Sequence, residues 1–151
     1  MCGKKQKWNY LVKSLPIGNP LDETTRIGAL SSYEHRELVL NFIDQAKSEG
    51  GNLIYGGEKL EIPGFENGYF LKPAIFSPCT DDLTISREEV FGPVLQIYKF
   101  SSEEEAMKRA NETELGLAAG IFTNDFARIE RFKDEIEVKT RVMNLNFYRI
   151  Y

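Results

Sequence analysis

Apolar positions settle into a helical rhythm from about residue 31. Leu38, Val39, Phe42, Ile43 and Ala46 recur at three- and four-residue spacing and make one face. Ser31 or Ser32 can cap that helix, because a hydroxyl accepts from a backbone N–H the first turn leaves orphaned, and Gly50-Gly51 ends it. Residues 52–55 (NLIY) predict a short strand stopped by Gly56-Gly57. Residues 68–76 give a second extended piece. Pro73 inside it points to an edge or bent strand, since proline cannot donate to a ladder. After the break at Gly92-Pro93, Val94, Ile97, Tyr98 and Phe100 predict a buried strand with the break at its mouth. Ser102 and Glu105 have capping-box spacing, and Glu103 and Glu104 suit the positive end of a helix dipole. Ala106, Met107 and Ala110 form that helix's packed face. Residues 117–122 (LAAGIF) are small and apolar, as in a strand closely covered on both faces. Asn124 or Asp125 caps a third helix with Phe126, Ile129, Phe132 and Ile136 as its apolar side, and residues 141–147 predict a last strand. Residues 14–30, 58–67 and 77–84 are loops. This alternation predicts an α/β fold, helices packed on a mostly parallel sheet.

Composition narrows the classes. A chain of 151 residues predicts one domain that buries roughly 70% of its extended-chain surface. With 42% hydrophobic and 28% charged residues it has the balance of an ordinary soluble globular protein. A net charge of −4 and a pI near 5.2 argue against nucleic acid or an anionic membrane as a partner. No apolar run approaches the roughly 20 residues that span a bilayer. The start, Met1-Cys2-Gly3-Lys4-Lys5, lacks an apolar signal region. These features predict a reduced compartment, the cytoplasm or a mitochondrial matrix. Cys2, Cys79 and the single histidine, His35, build no soft-ligand metal site. Asp81-Asp82 reads as a solvated pair rather than a metal site, and His35, off the apolar stripe between Glu34 and Arg36, as a solvated histidine.

The candidate chemistry lies in residues 86–97. Glu89 and Phe91 stand two positions apart, on one side of an extended chain entering the Gly92-Pro93 turn. A carboxylate beside an aromatic can hold a sugar diol and a flat heteroaromatic ring. A solvated glutamate pair and a core phenylalanine fit the spacing as well.

Three blocks add a resemblance. EEVFGPVLQIYKF (residues 88–100) resembles the signature of the NAD(P)-dependent aldehyde dehydrogenase superfamily. ANETELGLAAGIFTND (110–125) resembles that family's second block, and GNPLDETTRIGAL (18–30) its preceding loop. Weaker similarity continues to Asn146. The resemblance implies a partial catalytic domain over residues 14–151, after an irregular segment over 1–13. It implies that Glu89 hydrogen-bonds the nicotinamide-side ribose hydroxyls and that Phe91 packs near the nicotinamide ring, the two together at the carboxyl end of a sheet strand facing a cleft. Asn144 would match an asparagine lining the substrate tunnel. The cofactor is NAD or NADP and the substrate a small aldehyde, oxidised to a carboxylic acid. Residues 78–84 resemble the betaine-aldehyde and trimethylaminobutyraldehyde branch, whose quaternary ammonium substrates suit aromatic cages.

Departures from the pattern shape the functional expectation. The family acts through a cysteine thiolate on a differently composed loop upstream of the Gly18-Asn19-Pro20 match, and Cys2 sits at a chain end prone to fraying, so it is not that nucleophile. The family's general-base glutamate has no counterpart, so no catalytic residue is expected. Leu115 replaces a usual aromatic. Lys139 stands where a glycine is preferred, and would strain any turn needing φ > 0. Two functions are therefore carried: an oxidoreductase piece active only within a longer product, and a non-catalytic remnant or interaction module whose bared apolar faces favour self-association.

Overall fold

The structure, a computed structural model, describes residues 11–144; Cys2 lies outside them. The described residues fall into two compact units, the first ending at Lys99 and the second starting at Phe100.

In the first unit, the predicted helix is α1, Tyr33–Ser48. Ser32 is its N-cap, accepting from the His35 amide, and the buried residues Val39, Ile43 and Ala46 mark the apolar stripe. Strand β1, Leu53–Tyr55, pairs antiparallel with β2, Ala74–Phe76. β2 pairs in parallel with β3, Val94–Gln96, in the order β1-β2-β3. β2 is therefore the central strand and wholly buried, not the edge strand expected from Pro73. The proline sits one residue before the ladder, so its missing N–H costs no strand hydrogen bond; its neighbour Ala74 donates to the Pro93 carbonyl at 2.9 Å. β3 is half-buried rather than buried, with Leu95 turned outward.

Val39, Ile43 and Ala46 of α1 pack with Leu71, Ala74, Phe76, Cys79, Leu83 and Ile85 in one core. Burying each large member of that set contributes about 1.5–3 kcal/mol. A short helix the sequence did not announce, α2 (Thr84–Arg87), leads into the signature segment. Leu83 sits at its N-cap with no side-chain bond to offer, and the cap comes from Glu49 instead. The Glu49 carboxylate accepts from the Thr84 amide at 2.7 Å and from its hydroxyl at 2.5 Å.

The second unit contains α3 (Glu103–Asn111), β4 (Ala118–Phe122), α4 (Phe126–Glu135) and β5 (Thr140–Asn144). β4 and β5 pair in parallel, so two of the three strand pairs described are parallel, and the α/β class holds. Ser102 caps α3 as expected, and Asp125 rather than Asn124 caps α4. Ile129, Phe132 and Ile136 form the buried apolar side, whereas Phe126 is exposed. The expectation that β4 is covered on both faces is corrected: Ala118, Gly120 and Phe122 are exposed and only the alternate residues are half-buried. The packed face expected for α3 is also incomplete, with Ala106 and Met107 half-buried and Ala110 exposed. Lys139 is not strained, because every positive φ among the described residues belongs to a glycine; its amide donates to the Gly116 carbonyl at 2.9 Å.

Candidate functional site

The segment joining α2 to β3 carries the two candidate residues, and its shape follows from local bonds. The Gly92 amide donates to the Val90 carbonyl at 2.7 Å, and the Val94 amide to the Gly92 carbonyl at 2.8 Å. Two successive three-residue turns result, centred on Phe91 and Pro93. Phe91 has negative φ, which makes its turn the common inverse γ type. Side chains from β3 and beyond hold α2 behind it. Gln96 donates to the Ile85 carbonyl at 2.5 Å, and the Tyr98 hydroxyl to Ser86 Oγ at 2.7 Å. Ser86 in turn donates to the Thr80 carbonyl at 2.8 Å. Arg87 spans back to the Asp81 and Asp82 carbonyls, both at 3.0 Å.

On this braced segment Glu89 is exposed, and among the described residues its carboxylate has no hydrogen-bond or ion-pair partner. Phe91 is 71% exposed, so it is not the core phenylalanine that the spacing also allowed. Their position needs one correction. They were expected at the carboxyl end of a strand facing a cleft, but they precede β3. Since β2 and β3 run in parallel, that is the amino end of the pair. Neither residue lines the cleft of about 240 Å³ beside them, which is bounded by Val12, Leu15, Ala74, Gly92, Pro93 and Leu95.

Helix α1 supports the turn from beneath. Val39, buried, packs directly on Gly92, where a Cβ would lie 2.7 Å from Val39 Cγ2 and 2.8 Å from Cγ1. One helical turn earlier, His35 Nε2 hydrogen-bonds the Phe91 carbonyl, and Nδ1 meets Ser31 Oγ at 2.8 Å. The His35 and Phe91 rings lie 6.5 Å apart and tilted by 47°. His35 is thus half-buried and tied at both nitrogens, not solvated as its neighbours suggested. Nothing in its local sequence could have shown this. The Ser31 spacing is legible, but the carbonyl it meets is 56 positions away.

The other candidates lie apart from this pair. Of Asn144 the structure describes the backbone, paired with Phe122 at the end of β5. Cys79 is buried, and burial pushes its thiol above the usual range, away from the thiolate a nucleophile needs. Asp81 and Asp82 are exposed on a turn, with Arg87 3.8 Å from the Asp82 carboxylate. Among the described residues no group of three or more His, Cys, Asp or Glu could hold a metal ion. Nor, among the described residues, is any helix long and apolar enough to cross a membrane.

The second unit has its own cleft, about 540 Å³, lined by Phe100, Ala106, Met107, Ile121, Phe122 and Phe132. The charged groups at its rim satisfy one another. Glu103 accepts from Arg131 at 2.7 and 2.8 Å and from Arg128 at 3.0 Å. Arg131 first, then Arg128, holds the Glu103 carboxyl down at about 2. A carboxylate so engaged is structural.

Comparison with known proteins adds independent findings. The model of the aldehyde dehydrogenase family matches residues 5–148. Betaine aldehyde dehydrogenase of Brucella anthropi is 47% identical over 132 residues, 87% of this chain and 27% of that protein. The 4-trimethylaminobutyraldehyde dehydrogenase A of Danio rerio is 45% identical over 134 residues, 87% of this chain and 26% of its own. The chain therefore spans about a quarter of the length of the curated relatives it matches. Among solved structures, betaine aldehyde dehydrogenase from Staphylococcus aureus in complex with NAD+ superposes with a TM-score of 0.88 at 31% identity. That match covers 97% of this chain and 29% of the other. An aldehyde dehydrogenase from Mycobacterium tuberculosis complexed with NAD+ gives 0.83 at 34% identity, covering 93% and 29%.

Proposed function

The chain belongs to the aldehyde dehydrogenase family, and from that premise we propose that it supplies the nicotinamide-nucleotide contacts of an aldehyde-oxidising enzyme. The observation that carries this is the partnerless Glu89 carboxylate two residues from the exposed Phe91 ring, on a braced turn. The donor set suits the group. Two carboxylate oxygens match the two hydroxyls of a ribose diol, and a flat apolar ring limits the travel of a flat heteroaromatic one. NAD or NADP, when bound, accepts the hydride that leaves the aldehyde carbon. Glu89 holds the sugar, and Phe91 covers one side of the ring. Asn144 is the proposed residue toward the substrate. Residues 14–151 are the proposed catalytic-domain portion; of the segment before it, expected to be irregular, residues 11–13 are helical.

The substrate we assign is an aldehyde bearing a trimethylammonium group. Its support is the similarity to betaine aldehyde and trimethylaminobutyraldehyde dehydrogenases. A strong preference for uncharged aliphatic aldehydes, in an enzyme assembled to the relatives' full length around these residues, would reject this assignment.

No residue described here can serve as the nucleophile, since Cys79 is buried with its thiol favoured over its thiolate. With Cys2 set aside as a chain-end cysteine, the reading is that the 151-residue chain alone is a binding piece and leaves aldehydes unoxidised. The test follows nicotinamide mononucleotide binding by amide NMR on the full chain, beside an absorbance assay with NAD+, NADP+ and a panel of aldehydes. Glu89→Ala should weaken the nucleotide by about tenfold or more, the loss of a charge-assisted hydrogen bond worth roughly 1.5–3 kcal/mol. Equal binding by wild type and variant would remove the cofactor reading, and measurable turnover would remove the claim of inactivity.

One observation favours a second reading, that of a non-catalytic module. The open face of β4 and β5 exposes Phe122 and Val142, with Leu117 beside them at 77% exposure. That surface suits association with a second copy of this chain.

A further inference from the structure

The contact between His35 and Phe91 goes beyond the family's signature residues. Phe91 is exposed and sits at the centre of a tight turn, so its ring direction depends on how the turn's one outward carbonyl is held. That carbonyl accepts from His35 Nε2. The ring cannot swing away, because Ser31 Oγ engages its other nitrogen at 2.8 Å and Ser32 Oγ holds its backbone amide at 3.1 Å. Four residues on, Val39 closes the space under Gly92. Two adjacent turns of one helix face thus grip two consecutive residues of the signature, one by a hydrogen bond and one by packing.

We infer that His35, oriented by Ser31, is a positioning residue that fixes the Phe91 turn and through it the direction in which Glu89 and Phe91 meet a nicotinamide nucleotide. The inference rests on the reading of that pair as the cofactor contact. Its chemistry fixes the state of the ring. Donation to a carbonyl requires the hydrogen on Nε2, so neutral His35 is the Nε2–H tautomer with the Ser31 hydroxyl donating to Nδ1. The opposite tautomer would set a lone pair against the carbonyl oxygen.

The experiment uses the full chain. Imidazole ¹⁵N NMR should show the Nε2–H tautomer; a ring that averages both tautomers, or carries its hydrogen on Nδ1, would overturn the inference. His35→Ala should weaken nicotinamide mononucleotide by roughly five- to tenfold, the range of one net hydrogen bond, while thermal unfolding moves little. His35→Gln, whose amide N–H reaches the same carbonyl, should recover most of that affinity. Recovery by glutamine at matched stability separates positioning from a general structural role. Full affinity in His35→Ala beside a weakened Glu89→Ala would overturn the His35 assignment alone. Equal binding by wild type and Glu89→Ala would overturn the cofactor reading, and with it the ligand half of the inference.

Discussion

Gly92 is a glycine for reasons of space, not of backbone angle. Any Cβ there would meet both methyls of Val39 at under 3 Å, and a β-branched, buried side chain has no second rotamer to retreat into. Gly92→Ala should therefore cost about 1–3 kcal/mol, the usual range for overpacking, and lower the urea midpoint at unchanged slope. An unchanged midpoint would mean that α1 does not press on the turn. Glu103 gives the second prediction at this scale. Its folded value of about 2 lies below the ordinary 4.5, so the arginine contacts contribute stability that is complete above 4.5. That contribution is lost as pH falls through the window toward about 2. The stability difference between wild type and Glu103→Gln should be flat at neutral pH and shrink in acid. A difference that persists at pH 2 would contradict it.

Among the elements, α1 was legible and α2 was not. The stripe and cap of α1 are written within one segment, and Ser32 does what the sequence implied. Thr84–Arg87 has neither a stripe nor a cap of its own, because its cap is a carboxylate 35 positions upstream. Gln45 steadies that carboxylate, donating at 2.9 Å to both Glu49 and the Thr84 hydroxyl. Glu49→Ala should lower the midpoint of chemical denaturation, as the loss of an N-cap does. It should also loosen the Ser86 and Glu88 amides, bonded to the Leu83 and Thr84 carbonyls, in hydrogen exchange more than those of α1. Equal exchange in both would show that α2 needs no cap from outside. The misreadings of β2 and β4 share a cause. Local composition shows that a strand can be buried, but its neighbours decide whether it is. Ala74–Phe76 gained a partner on each side, while among the described residues β4 gained one partner and cover on alternate residues only.

For the whole molecule, the exposed Leu117, Phe122 and Val142 predict concentration-dependent association in sedimentation. Replacing Leu117 and Val142 by serine should return the chain toward its monomer mass; an unaltered profile would move the contact elsewhere. By itself the sequence determined what is written locally. It carried the helix stripes, the serine caps, the αβ alternation, the three family blocks and the adjacency of Glu89 to Phe91, each of them readable from the order of residues along the chain. Packing between distant segments made β2 central and left β4 open on one face. It also set the signature pair at the amino end of parallel strands and His35 under Phe91. Those outcomes depend on contacts between residues far apart in sequence, 56 positions in the case of His35. Periodicity and propensity hold no information at that separation, because burial and hydrogen-bond partners are fixed only when the segments pack together.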